Sequence, residues 1–200
     1  MTQLGSNLYI QENTELTTVD LSSLFCVDDY TIEGNALTEA DHYDLLVQIT
    51  CASSDSLNVF IDDDADDFCA TGVTEVTDLY INAIGVDPVD LSCIEKITGD
   101  LEIENSISSS IDLSGLQSVG GFVYVHDNED LLTVDMSALN SVGDYLYVTN
   151  NEEFTGLDMR SLETVDAEIY IYNSDNFEEI NLDSLRTAGS SLNVSNNQVL

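Results

Sequence analysis

Tyrosine recurs at one phase of a repeating three-residue pattern in the C-terminal half of the chain. Tyr124, Tyr147 and Tyr170 each stand between two apolar residues and follow one another at a constant interval. Tyrosine combines a large ring with a hydroxyl group at low conformational cost, which suits recognition of sugar rings or apolar protein patches. Further rings stand at the flanking positions. The predicted binding surface therefore comprises seven residues: Phe122, Tyr124, His126, Tyr145, Tyr147, Tyr170 and Tyr172. The alternative is a ladder of rings that only stiffens the sheet.

Alternate carboxylates in the densest acidic run are typical of calcium-binding loops. Asp62, Asp64 and Asp66 reproduce the opening D-x-D-x-D of such a loop. Asp67 occupies the place where an EF-hand turn requires glycine, and no glutamate closes the loop. A calcium site is therefore an expectation here beside that of a solvated acidic corner.

A second set of carboxylates recurs with the repeat, at Asp90, Asp112, Asp135 and Asp158. Stacked coils would bring these side chains into a column, where like charges repel unless something compensates them. Hydrogen bonds from turn N–H groups or bound cations would do so. We favour the hydrogen bonds, because each aspartate precedes an apolar residue and then often serine, as at a structured corner.

Catalysis and polyanion binding find little support in the composition. The chain has 39 acidic residues against three basic ones, with a formal net charge of −36. Lys96, Arg160 and Arg186 cannot form the basic patch that nucleic acid or an anionic membrane requires. His42 and His126 are the two histidines, and neither lies in a recognisable catalytic motif. We therefore predict a protein that is not an enzyme.

The four cysteines have spacings close to one repeat. Cys26 and Cys51 are separated by little more than one repeat length, and so are Cys69 and Cys93. Because neighbouring coils bring residues of equal phase within bonding distance, we predict these two disulfides, which are typical of extracellular proteins. Buried free thiols are the alternative. A zinc site is disfavoured because the chain has no closely spaced cysteine pair.

The elements that would position these side chains are short strands in a repeat of about 22–23 residues. Patterns such as Leu101-Glu102-Ile103 and Leu146-Tyr147-Val148 alternate apolar and outward residues, as a strand with one buried face does. The sequence predicts an all-β fold, a parallel β-solenoid of about nine such coils. Asparagines such as Asn128 and Asn151, placed after the strands, are expected in the left-handed conformation at corners.

The predicted organisation has three parts: an N-terminal coil over 1–26, irregular coils over 27–75, and a regular array over 76–200. A capping pattern at Thr38-Glu39-Ala40-Asp41 predicts one short helix near residues 38–49. Leu57-Asn58-Val59 is predicted to be a strand one repeat before Leu79-Tyr80-Ile81, with Leu57 in phase with Leu79. The periodic pattern is already running at Met1 and still running at Leu200, so we expect a piece of a longer protein.

The run from Asp90 to Ile103, with its Ile-Thr-Gly-Asp-Leu-x-Ile phrase, resembles the leucine-rich repeats of receptor L domains. Such domains occur in insulin- and EGF-receptor ectodomains and in fungal GPI-anchored cell-wall proteins. The resemblance implies an extracellular or cell-surface module that binds a protein or glycan without catalysis. The second hypothesis is a structural protein that assembles with copies of itself, dependent on cations such as calcium. The extreme acidity would suit a halophilic or biomineral-associated protein.

Overall fold

Short parallel strands account for nearly all the regular structure among the residues that the structure describes. The computed structural model describes residues 2–3, 8–11, 24–26, 30–33, 59–61, 68–69, 72–82 and 88–197. Three parallel sheets run along the main body, and the chain contributes one strand to each sheet in turn. The predicted β-solenoid is confirmed.

The three sheets differ in strand length and together form three faces of the coil. The seven-stranded sheet contains Val59–Ile61, Leu79–Asn82, Leu101–Glu104, Val123–His126, Leu146–Thr149, Ile169–Tyr172 and Leu192–Ser195. The five-stranded sheet contains Val89–Asp90, Ser110–Asp112, Thr133–Asp135, Gly156–Asp158 and Glu179–Asn181. The six-stranded sheet contains Glu75–Val76, Lys96–Ile97, Ser118–Val119, Ser141–Val142, Thr164–Val165 and Thr187–Ala188.

The number of coils is smaller than the sequence predicts. The described residues form about five turns, so the expectation of nine coils is an overestimate. Alternating apolar residues identify a single strand, whereas a complete turn also requires a strand in each of the other two sheets. Two further parallel pairs lie near the N-terminus: Thr2–Gln3 with Leu24–Cys26, and Leu8–Gln11 with Tyr30–Glu33. They form separate two-stranded sheets.

The core is a stack of apolar columns, because successive turns pair in register. Leu101 and Ile103 point inward from the seven-stranded sheet and have no solvent exposure. Ile111 from the five-stranded sheet and Val119 from the six-stranded sheet close the same turn, at 2% and 1% exposure. Each such side chain contributes about 1.5–3 kcal/mol through removal from water. Burial of the coil interior therefore drives the stacking.

From Leu79 onward the repeat has two lengths because one corner varies. Leu101 pairs with Val123, and Val123 pairs with Leu146, so the second step is longer than the first by a single residue. The extra residue lies between the seven-stranded and five-stranded sheets. The short corner points the small Ser108 inward, whereas the longer corners bury large apolar side chains at the equivalent position: Leu131, Phe154 and Phe177. The shorter corner thus goes with the smaller inward residue.

The asparagine ladder, which consists of Ser106, Asn128, Asn151, Ser174 and Asn197, lines the inside of this corner. Nδ2 of Asn128 donates to the carbonyl of Ile103 at 3.0 Å, and Nδ2 of Asn151 donates to Val125 at 2.9 Å. Each of these amides therefore bonds to the main chain of the preceding turn.

The left-handed residues occupy the position before the asparagine ladder. They are Asn105, Asp127, Asn150, Asn173 and Asn196, with φ between 50° and 58°. The prediction of left-handed backbone at Asn128 and Asn151 is therefore wrong by a single position. Asn and Asp adopt this conformation more readily than other residues with a side chain, and at Asp127-Asn128 and Asn150-Asn151 the sequence offers them at both positions.

One strand register differs from the sequence prediction. Val59 pairs with Leu79, and Ile61 pairs with Ile81, so the strand is Val59–Ile61 and Val59 takes the place predicted for Leu57. A shift from Leu57 to Val59 preserves the inward and outward alternation of a strand, so the apolar pattern cannot distinguish the two registers.

The predicted helix near 38–49 lies outside the described residues, and the predicted boundaries at 26 and 75 remain predictions. Within the described part of the chain, no helix has the length and hydrophobicity needed to span a membrane.

Candidate functional site

The in-register pairing of the seven-stranded sheet brings the predicted binding residues together. Tyr124 pairs with Tyr147, and Tyr147 pairs with Tyr170, so the three rings project from one column of adjacent strands. Their neighbours along each strand, such as Leu146 and Val148, are fully buried. This inward anchoring fixes the tyrosines on the outer face of the sheet.

All seven predicted residues belong to one connected network of rings, which we call the aromatic patch. Tyr147 lies at its centre, with ring centroids 6.1 Å from Tyr124, 4.2 Å from Tyr145 and 5.6 Å from Tyr170. Phe122 stacks on Tyr145 at 4.9 Å, and Tyr172 stacks on Tyr170 at 5.7 Å. The six phenyl and phenol side chains are half-buried. The patch is thus held by ring contacts as well as by the sheet.

Tyr147 is also held by a carboxylate. Its hydroxyl donates to Oε1 of Glu168, and this bond, followed by burial, raises its pKa to about 12. Oε2 of Glu168 accepts a bond from the Ser191 hydroxyl at 3.3 Å. The central ring of the patch therefore has a fixed orientation and stays neutral through the physiological range.

Carboxylates surround the patch on several sides. Burial raises the pKa of Tyr145, and the nearby charges of Asp100 and Asp144 raise it further. Burial and the charges of Asp78 and Asp100 raise the pKa of Tyr80 in the same way. These carboxylates form an acidic rim that disfavours anionic ligands.

His126 stands at one end of the patch in a carboxylate environment. Its Nε2 lies 3.0 Å from Oε1 of Glu102 and 3.9 Å from Oε2 of Glu104, and its Nδ1 lies 2.8 Å from Oδ2 of Asp127. The imidazole stacks on Tyr124 at 3.8 Å. Burial opposes protonation, but the bonds with Asp127 and Glu102 outweigh it and raise the pKa of His126.

Glu102 and Glu104 are functional candidates that the sequence analysis missed. In the sequence, Glu102 is the residue that interrupts the row of tyrosines, between Tyr80 and Tyr124. The repeat could have predicted their position beside His126, because it pairs Glu104 with His126 and Glu102 with Tyr124. Within the described residues, His126 and these two glutamates are the group whose geometry could hold a metal ion.

A polar groove runs beside His126 along the corner of the coil. It has a volume of about 430 Å³. Its lining combines left-handed residues with acidic neighbours: Asn105, Asp127, Glu129, Asn150, Glu152, Asn173 and Asp175. Hydrogen-bonding groups thus lie next to the aromatic patch.

The aspartate column caps turns, as we favoured from the sequence. Oδ1 of Asp90 accepts from the Ser92 backbone N at 3.0 Å, and the same bond forms from Ser114 to Asp112 at 2.9 Å. Asp135 and Asp158 repeat it with Ser137 and Arg160. The bonds with the Ser92 hydroxyl and backbone lower the pKa of Asp90. These carboxylates are therefore used within the fold.

The cysteine prediction is confirmed for one pair. Cys69 and Cys93 form a disulfide with a Cα–Cα distance of 5.4 Å. Cys51 lies outside the described residues, so the Cys26–Cys51 bridge remains a prediction. Asp62, Asp64 and Asp66 also lie outside them.

Comparison with protein-family models, with curated proteins and with solved structures finds no match.

Proposed function

We propose that this protein is a non-catalytic recognition or adhesion module that binds a protein or glycan through the aromatic patch. The observation that carries the proposal is the continuity of the seven rings around Tyr147. A connected and oriented set of half-buried rings offers apolar area without a large ordering cost, which is the property of binding hot spots.

The surroundings of the patch narrow the ligand class. The acidic rim and the net charge of −36 repel polyanions, so we expect a neutral or basic ligand. Aromatic rings beside amide and carboxylate groups suit a neutral oligosaccharide, because its apolar ring faces stack and its hydroxyls hydrogen-bond. A neutral or basic protein surface is the other ligand type that fits.

We further propose an extracellular or cell-surface location and an architecture similar to that of receptor L domains. The Cys69–Cys93 disulfide supports the location, because such bonds persist in oxidising compartments. The parallel solenoid, with its short strands repeated in register, is consistent with the architecture.

The test is binding to arrays of neutral oligosaccharides, anionic oligosaccharides and basic peptides by wild type and two variants. Tyr147→Ala removes the centre of the patch and should cost more than about 1 kcal/mol of affinity for the bound class. Tyr80→Ala is the matched control and should keep the affinity. Tyr80 lies in the same column of the sheet, but Glu102 separates it from Tyr124 and the aromatic patch. If Tyr147→Ala keeps full affinity but melts at a lower temperature, the rings are a stabilising ladder and the proposal fails.

A second candidate function is structural self-assembly, because coils that pair in register along the seven-stranded sheet could continue between copies. Light scattering at micromolar concentration distinguishes the two candidates: filaments would support assembly, and a monomer would exclude it.

A further inference from the structure

Two glutamates and one histidine converge on the outer face of the seven-stranded sheet, at the N-terminal end of the aromatic patch. Glu102 and Glu104 lie on one strand with their side chains on the same face, and His126 pairs with Glu104 on the next strand. Their ligand atoms all lie within 4.8 Å of one another. Two metal–ligand bonds of about 2.0–2.2 Å at a tetrahedral angle place the ligand atoms about 3.3–3.6 Å apart. The observed Nε2 distances of 3.0 Å and 3.9 Å bracket that value.

The neutral imidazole cannot satisfy both of its neighbours. Both ring nitrogens of His126 face carboxylate oxygens, from Asp127 on one side and from Glu102 on the other. A neutral imidazole has one N–H and one lone pair, so one nitrogen would direct a lone pair at a carboxylate. A second proton on the ring, or a cation between Nε2 and the glutamates, would satisfy both nitrogens.

The groups around the three side chains hold them as the outer shell of a metal site does. Oδ2 of Asp127 lies 2.8 Å from Nδ1 of His126 and can accept its proton in a hydrogen bond. In metal-binding histidines this arrangement directs the lone pair of Nε2 at the ion. Stacking on Tyr124 fixes the plane of the imidazole. Nδ2 of Asn82 donates to Oε1 of Glu104 at 2.7 Å and leaves Oε2 directed toward His126.

The carboxylates around His126 make the local charge negative, and no lysine or arginine lies among them. Glu102, Glu104 and Asp127 surround one histidine. The three basic residues of the chain lie elsewhere, in pairs with other carboxylates: Lys96 with Glu75, Arg160 with Asp158, and Arg186 with Glu163.

We infer that Glu102, Glu104 and His126 form a binding site for a divalent first-row transition metal such as Zn²⁺. An imidazole nitrogen selects these ions over Ca²⁺ and Mg²⁺, which prefer oxygen ligands alone. Three protein ligands leave a fourth position for solvent or for a donor from a bound partner. This site is separate from the calcium site predicted at Asp62, Asp64 and Asp66, and it does not depend on the proposed recognition function.

The experiment uses the full chain, stripped with chelator and labelled with ¹⁵N at histidine. The chain has two histidines, His42 and His126, so the imidazole resonances identify the ligand directly. Zn²⁺ should shift the Nε2 resonance of His126, and Ca²⁺ at the same ionic strength should leave it in place. Calorimetry should give one Zn²⁺ site that binds more tightly than the diffuse surface carboxylates.

Glu104→Gln is the decisive variant, because it removes a ligand charge while keeping an oxygen for Asn82. It should weaken the tight Zn²⁺ site at least about tenfold. Glu178→Gln, at an exposed position outside the cluster, should leave that affinity unchanged, and circular dichroism checks that both variants fold. The inference is overturned if Zn²⁺ leaves the His126 resonances unmoved, or if both variants bind Zn²⁺ as wild type does.

Discussion

Asn128 and Asn151 lie one above the other on consecutive turns, and two N–H donors of Asn128 bond to a single oxygen of Asn151. Nδ2 of Asn128 donates to Oδ1 of Asn151 at 2.9 Å, and the backbone N of Asn128 donates to the same oxygen at 3.2 Å. Both side chains are completely buried. The asparagine ladder therefore satisfies corner backbone groups that no sheet reaches.

Asn151→Ala should lower the free energy of unfolding by about 2–4 kcal/mol, because it removes the oxygen that accepts two buried N–H groups of Asn128 and the amide that donates to the carbonyl of Val125. Urea denaturation followed by circular dichroism measures the change. Asn140→Ala is the control, since Asn140 is exposed and its amide makes one long bond of 3.5 Å. A loss of similar size in both variants would contradict a specific role for the ladder.

Gly143→Ala should destabilise the protein by about 1–3 kcal/mol, through crowding of adjacent turns. A Cβ at Gly143 would lie 2.0 Å from the carbonyl oxygen of Gly120, which belongs to the backbone of the preceding turn. At Gly156 the nearest atom would be 3.2 Å away, so Gly156→Ala should cost less than about 1 kcal/mol. Thermal unfolding of both variants checks the difference, and equal melting temperatures would refute the crowding.

Tyr147 should titrate at about pH 12 in the folded protein, against an ordinary value of 10.0. The pKa is raised, so the stability from the Tyr147–Glu168 bond is complete below pH 10 and is lost as the pH rises through 12. The stability difference between wild type and Tyr147→Phe should therefore shrink over that window.

Tyrosinate absorbance of the native protein measures the titration directly. Glu168→Gln should lower the pKa of Tyr147, because it removes the carboxylate that accepts the hydroxyl proton. An unchanged absorbance titration in Glu168→Gln would show that the bond does not set the pKa.

The Cys69→Ser/Cys93→Ser double variant should be less stable by about 3 kcal/mol. The bridge closes a loop with a sequence separation of 24, and releasing it restores conformational freedom to the unfolded chain. Chemical denaturation measures the loss. Peptide mapping without reductant tests the same bridge and the predicted Cys26–Cys51 bridge, and a Cys51–Cys69 linkage would refute both.

Added NaCl should raise the melting temperature, because a net charge of −36 repels itself over a Debye length of about 30 Å at low ionic strength. Calcium should stabilise beyond matched ionic strength if Asp62, Asp64 and Asp66 form a site, and replacing all three with Asn should remove that excess. A melting curve indifferent to both salts would exclude a role for cations in stability.

The aromatic patch could be predicted from the sequence because two local rules suffice for it. Strand alternation directs Tyr147 outward, and the constant step of the repeat places Tyr124 and Tyr170 beside it. No knowledge of the corners is needed for that result.

The remaining features depend on distances across the coil. Both Asp127 and Asn128 suit a left-handed corner, and only the closed turn determines that Asp127 adopts it. The register of Val59 is ambiguous in the sequence because a shift from Leu57 to Val59 preserves the inward and outward alternation. The contacts of His126 require that side chains from two strands and a corner meet, which a linear pattern does not display.

From Leu79 onward, coil length changes at one corner only, the segment that follows the asparagine ladder, while Val119–Val123 and Val142–Leu146 keep the same spacing. The consequence is a practical one for protein engineering. A foreign peptide inserted between Glu129 and Asp130 would extend this corner without shifting the phase of any strand, so the solenoid could display it beside the aromatic patch. This corner is suited to the insertion because it already accommodates an extra residue between one turn and the next while the strands stay in register.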